Sequence, residues 1–242
     1  MQLPPPVHGM AVMSDRVARS EHLRAHFDLE VLPLRFASSL EDLGGVSLRK
    51  LARAALTGVR LVGALSLRRP DAVYFTFSPV GLAYYRDCFY VAIIRAMGVQ
   101  RVYHLHAKGI ERRLGSRWGR ALAAWAFEGA RVIQMSPYLK HDVASVVSNE
   151  QLTFVPNGIP VITASREHRV YDDGPPRILF LSNMSRAKGP LLLLEALEVL
   201  AKQEVAFTAT FAGAEGNDGC VDEFNARVES SGLRDRVKYV GP

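Results

Sequence analysis

Three places in the sequence gather residue types that bind anions or handle protons. The first is RILFLSNMSRAKGPLLLLEAL, residues 177–197. An apolar run leads into a short loop with Arg186 and Lys188, then Gly189, Pro190 and a leucine-rich segment. Proline suits the first turn of a helix, where its missing N–H costs nothing. The unpaired amides and positive dipole end of such a helix attract an anion. Lys188 and Arg186 add full charges beside them, so the local chemistry is that of a phosphate site. The glycine-rich run of a Walker loop is absent. A solvated basic loop on an α/β protein has the same residue types, and spacing alone leaves both readings open.

The second place is YHLHAKG, residues 103–109. The run 102–105 reads as a strand, with His106 at its carboxyl end, where ligands of open parallel sheets gather. His104 shares the face of His106 by strand alternation and is expected to pack inside. Lys108 and Arg112 follow, suited to an anionic ligand or to a plain charged surface. The third place is PPPVHGM, residues 4–10, where His8 and Gly9 open a helix. Glycine there permits close backbone approach to a ligand, or a tight turn. Asn157, in VPNGIP (155–160), reads as a turn residue. Cys88 and Cys220 are the only cysteines and lack metal-ligand spacing. They read as free thiols of a reducing compartment, and no metal site is expected.

Elements must hold these residues in place. Strand-like runs occur at 29–34, 72–77, 102–105, 132–135 and 152–155, separated by helical periodicity at roughly 10–26, 47–67, 80–97, 116–129 and 137–147. Such alternation predicts a doubly wound α/β domain on a parallel sheet. Pro160, Gly174, Pro175 and Pro176 mark a break. The pattern then restarts with strands at 177–181, 206–211 and 237–240 and helices at 191–203 and 221–230. The predicted organisation is a first domain over 1–165, a linker over 166–176 and a second domain over 177–242. Only Met1–Leu3 precede the opening Pro/Gly loop, too short for an ordinary strand. Three strands and two helices cannot cover both faces of a parallel sheet. A fragment truncated at both ends is therefore expected.

Bulk composition narrows the classes. In 242 residues, 48% are hydrophobic and 22% charged, as in ordinary globular proteins. No apolar run reaches membrane-spanning length, and MQLPPPVHGM has neither the basic nor the apolar region of a signal peptide. Residues 1–165 carry 20 Lys and Arg against 12 Asp and Glu, and 166–242 carry 10 against 12. The excess of positive charge thus belongs to the first part and favours an anionic partner. Nucleic acid is not expected, because no recognition motif accompanies the charge.

Taken in order, the motifs resemble those of family 4 glycosyltransferases. Residues 177–197 resemble the start of that family's nucleotide-sugar-binding domain. FAGAEGNDGCVDEF (211–224) and GLRDRVKYVGP (232–242) resemble its next two landmarks. VPNGIP is similar to the turn before the family's linker, and PPPVHGMAVMSDRV (4–17) to its acceptor-side glycine loop. The resemblance implies a GT-B fold of two Rossmann-like doubly wound domains, the second incomplete. It implies retaining transfer of a sugar from a nucleotide diphosphate sugar to an acceptor hydroxyl, without metal or other cofactor. Polysaccharide, lipopolysaccharide or glycolipid synthesis in the cytoplasm is the implied setting, with a carbohydrate or lipid-linked acceptor.

By the same resemblance, Lys188 matches the family lysine on the leaving diphosphate, with Gly189 beside it. The family arginine five positions earlier is Asn183 here, which leaves Arg186 to act from the same loop. His106 matches the histidine that approaches the transferring sugar, and His8, Gly9 and Lys108 lie on the acceptor side. The family's acidic donor-binding pair lies beyond Pro242. A nucleotide-sugar epimerase of the same architecture and a non-catalytic module for an anionic lipid or polymer are the rival readings.

Two basic amphipathic stretches remain. Residues 43–70 contain Arg49, Lys50, Arg53, Arg60, Arg68 and Arg69 but no acid, with Leu48, Leu51, Leu56 and Val59 at helical spacing. Residues 112–125 add Arg113, Arg117, Trp118 and Arg120. Such helices can rest on an anionic membrane, here at the inner face. The expectation is instead an apolar stripe on the sheet and a basic side in water, since every covering helix needs such a stripe.

Overall fold

The β-branched and aromatic runs of the sequence pair side by side as strands, as their residue types favour. A computed structural model of the chain describes Met1, Leu3, Pro4 and residues 9–34, 48–159 and 174–242. His8 and most of the expected linker, 166–173, lie outside the described residues. The chain divides into two compact units, Met1–Val161 and Ile162–Pro242.

In the first unit β1 (Ala72–Thr76), β2 (Gln100–Leu105), β3 (Arg131–Gln134) and β4 (Leu152–Phe154) form a parallel sheet in that order. Thr76 faces His104, and His104 faces Ile133, so the three strands end at one edge. The crossovers are α4 (Gly81–Ala96), α5 (Arg117–Phe127) and a 3-10 turn over Pro137–Asp142. Before the sheet come α1 (Gly9–Arg19), α2 (Glu21–His26) and α3 (Leu48–Arg68). The core is aromatic: the Phe77 ring lies 5.2 Å from both Tyr103 and Phe127. Buried Arg101 on β2 donates to the carbonyls of Ala126 and Glu128, satisfying the carboxyl end of α5.

Four expectations change. Residues 29–34 form no strand; among described residues they pair with Met1 alone, through Met1 N to Leu32 O (2.8 Å) and Leu34 N to Met1 O (2.7 Å). One paired residue cannot make a ladder. The helix expected over 10–26 is broken at Ser20, whose hydroxyl caps α2 by accepting from Leu23 N. The helix expected over 137–147 is a 3-10 turn followed by looser turns. The apolar stripe of α3 does not lie on the sheet. Its buried side is Thr57, Gly58, Leu61 and Leu65, and Leu48, Leu51, Leu56 and Val59 are exposed. Gly58 explains the choice, because a Cβ there would come within 2.8 Å of the Phe89 ring on α4.

In the second unit β5 (Arg177–Leu181), β6 (Thr208–Ala212) and β7 (Val237–Tyr239) form a parallel sheet in that order. Helices α6 (Pro190–Lys202) and α7 (Cys220–Ser230) cover one face, packing Leu194, Leu197, Phe224 and Val228 against Phe211 and its neighbours. The other face shows Leu179 and Leu181 to solvent. No helix among the described residues is long and apolar enough to cross a membrane.

Candidate functional site

His106 and Lys108 in the first unit, and Asn183, Arg186, Lys188 and Gly189 in the second, sit on loops at the carboxyl ends of strands. In the first unit, β2 ends at Leu105 and His106 begins the loop. That loop is pinned by a residue 33 positions later. The buried Asp142 carboxylate accepts from Gly109 N at 2.8 and 2.9 Å, and from Ile110 N and Glu111 N, both at 3.2 Å. Gly109 is obligatory there: its φ is +149°, and a Cβ would stand 2.4 Å from Val80 on the β1–α4 loop. That neighbouring loop is held in turn by Asp87, which accepts from Ser78 N and from Arg86 Nε, both at 2.8 Å. Burial raises the Asp87 carboxyl above its ordinary range, and Arg86 and the Ser78 amide work against that rise.

His104 and His106 come together as strand alternation requires. Their rings lie 4.1 Å apart at 33°. His104 is buried, and its Nδ1 is 2.6 Å from the Tyr74 hydroxyl on β1. Burial, then the charge His106 would carry, pulls His104 down to about 4, and burial also lowers His106. Both imidazoles are therefore neutral at pH 7. A neutral, half-buried His106 can exchange hydrogen bonds with a hydroxyl group without placing a cation there. Lys108 and Arg112 are exposed on the same loop. Gly9 begins α1 with open space where a Cβ would be, so packing and backbone conformation impose no need for glycine.

In the second unit β5 runs into residues 182–189. Arg186–Lys188 make a 3-10 turn, Gly189 takes the left-handed conformation (φ 84°, ψ 24°), and Pro190 starts α6. Proline offers no N–H, so the first-turn amides facing outward belong to Leu191 and Leu192. Lys188 is exposed, and no ion pair engages it among the described residues. Asn183 is exposed too. Arg186 points elsewhere: its guanidinium is ion-paired with Glu223 on α7.

The loop after β6 holds this turn. Met184 N donates to Ala214 O (2.8 Å) and Gly216 N to Met184 O (3.0 Å). Gly213 permits the approach, since a Cβ there would fall 1.9 Å from Ser182 O. Asp218 accepts from Arg186 N at 2.8 Å and from Cys220 N at 3.3 Å. One carboxylate thus joins the basic turn to the start of α7. The turn-forming string GNDG carried a signal for Asp218. Asp142 and Asp87 carried none, because their partners are loops remote in sequence or backbone amides.

No protein-family model matches the chain, and no curated protein matches its sequence. Solved structures match its fold. HepE of Anabaena, in complex with UDP and glucose, aligns with a TM-score of 0.56 at 19% identity, over 91% of this chain and 58% of HepE. A glycosyltransferase of Rickettsia africae aligns at 0.55 and 14% identity, over 82% of this chain and 53% of its own. The UDP-forming α,α-trehalose-phosphate synthase of Burkholderia xenovorans, in complex with glucose-6-phosphate, aligns at 0.53 and 12% identity, over 83% and 55%. The chain spans little more than half the length of these proteins. What they share with it is the fold, α/β of GT-B type with Rossmann-like units.

Proposed function

We propose that the chain belongs to a family 4 glycosyltransferase that moves a sugar, with retention of configuration, from a nucleotide diphosphate sugar to an acceptor hydroxyl. The observation that carries the reading is the β5–α6 junction: an exposed lysine, a left-handed glycine and open helix amides at the carboxyl end of a parallel strand. The step to be helped is the build-up of charge on the departing diphosphate. Lys188 Nζ supplies a full positive charge, and the amides of Leu191 and Leu192 supply oriented dipoles. Arg186 adds a second charge on leaving Glu223, an exchange that costs little for a half-exposed surface pair. Asn183 and Gly189 shape the same turn.

On the acceptor side, His106 orients the transferring sugar as a neutral hydrogen-bonding group, and Lys108 and the start of the chain at His8 and Gly9 receive the acceptor. No metal or cofactor enters the scheme. UDP, held by HepE in its complex, is the first nucleotide to test, and a carbohydrate or lipid-linked acceptor at the cytoplasmic face of a membrane suits the basic first unit. Incubation of the full-length protein with UDP-sugars, with and without acceptor saccharides or lipids, tests the reading. Acceptor-dependent release of UDP with an α-linked product from an α-linked donor supports it. An epimerised sugar formed without acceptor would replace it with the epimerase reading.

A further inference from the structure

The outward side of α3 presents an apolar surface that no element among the described residues of the first unit covers. Leu48, Leu51, Leu56, Val59 and Val62 are between 42% and 87% exposed. At 100° per residue they fall, with Ala52 and Ala55, within one arc of about 140°. The packed side, Thr57, Gly58, Leu61 and Leu65, lies opposite. Arg49, Arg53 and Arg60 form a row along one border of the arc, and Arg49 and Arg60 are exposed. The whole helix contains no acidic residue. On its other border the Phe89 ring, half exposed, lies against Gly58 and continues the apolar surface onto α4.

Apolar area, a row of arginines and no acid define the occupant. We infer that this face of α3 docks on an anionic bilayer, the helix lying in the interface plane with its leucines and valines at the acyl boundary and Arg49 and Arg60 among lipid phosphates. Helices with a strong apolar–basic division bind bilayers in this way, and each basic residue near an anionic surface adds to the attraction. The positive balance of residues 1–165 acts in the same sense. A second copy of the chain fits less well, because two such helices would bring arginines together with no acid on either to offset them. As the source of a lipid-linked acceptor, the surface rests on the proposed function; as a membrane contact, it stands on α3 alone.

Vesicle flotation tests it, using phosphatidylcholine alone and phosphatidylcholine mixed with an equal part of phosphatidylglycerol. Recovery with anionic vesicles is expected to exceed that with neutral ones by about tenfold or more. Leu56→Glu with Val59→Glu reduces it by about tenfold or more, since both positions face outward. Arg49→Ala with Arg60→Ala lowers recovery only with the anionic vesicles. Thermal melts matching the parent show that the variants fold. UDP affinity without vesicles stays unchanged in all of them, so a failed membrane contact and a failed donor site give different results. Equal recovery with both vesicle types, or flotation indifferent to the glutamates, overturns the inference. So does a concentration-dependent dimer that the glutamates dissolve, which would give the face to a second copy.

Discussion

Replacing Asp142 with alanine would remove the group that closes the loop carrying His106 and Lys108. The carboxylate serves three amides, those of Gly109, Ile110 and Glu111, at 2.8 to 3.2 Å. Glu111 is exposed and its amide can turn to water, but Gly109 and Ile110 are buried. A buried amide left without a partner costs about 1–3 kcal/mol, so two of them predict a loss of about 2–6 kcal/mol. That is a large share of the ~5–15 kcal/mol that holds a typical domain. The assay is urea unfolding followed by tryptophan fluorescence. Trp118 and Trp125, the only tryptophans, both lie on α5 and so report the first unit alone. Asp142→Asn keeps one acceptor oxygen but turns an amino group toward the donors, and should lose less than alanine does. An alanine variant within about 1 kcal/mol of the parent would refute the reasoning, because the loop would then be held by something other than this carboxylate.

Other consequences follow from the same geometry. Gly109→Ala should destabilise the first unit through both the +149° φ and the Val80 contact, and Val80→Ala should restore part of the loss, as unfolding curves of the single and double variants would show. His104 titrates at about 4 when folded and at its ordinary 6.5 when unfolded, so the unfolded chain binds more protons between those values. Its contribution is full above pH 6.5 and is lost as pH falls toward 4; His104→Gln should flatten stability over that window in pH-dependent melts. Glu223→Gln should change stability by less than about 0.5 kcal/mol, as expected of a surface pair, while raising affinity for UDP in titration calorimetry by freeing Arg186.

The strands at the site were legible because short apolar runs rich in β-branched and aromatic residues favour strands, whether buried on both faces, as β2 largely is, or on one, as β5 is. Residues 72–77, 102–105 and 177–181 read that way, and two of them lead to His106 and Lys188. Pro190 and Gly189 likewise announced the start of α6. The contacts that hold the loops were not legible. Asp142 lies 33 positions from Gly109, and nothing local distinguishes it from a surface aspartate. Asp87 reads as an ordinary helical acid until Ser78 folds onto it. The orientation of α3 was misread for a different reason. Amphipathicity identifies a stripe but not which side packs, and here close packing against Phe89 selected the side bearing Gly58 over the side bearing the larger leucines. Residues 29–34 show the converse, a run with strand composition that, among the described residues, pairs with Met1 alone.

The central claim is that the turn before α6 receives the diphosphate of a nucleotide sugar. Titration calorimetry of UDP into the parent and into Lys188→Ala tests it most directly. Lys188 is exposed, so its removal leaves the fold of the second unit intact. A charge-assisted contact of about 1.5–3 kcal/mol predicts affinity lower by roughly tenfold to a hundredfold, with Lys188→Arg falling between. Equal affinity of the parent and the alanine variant would contradict the account.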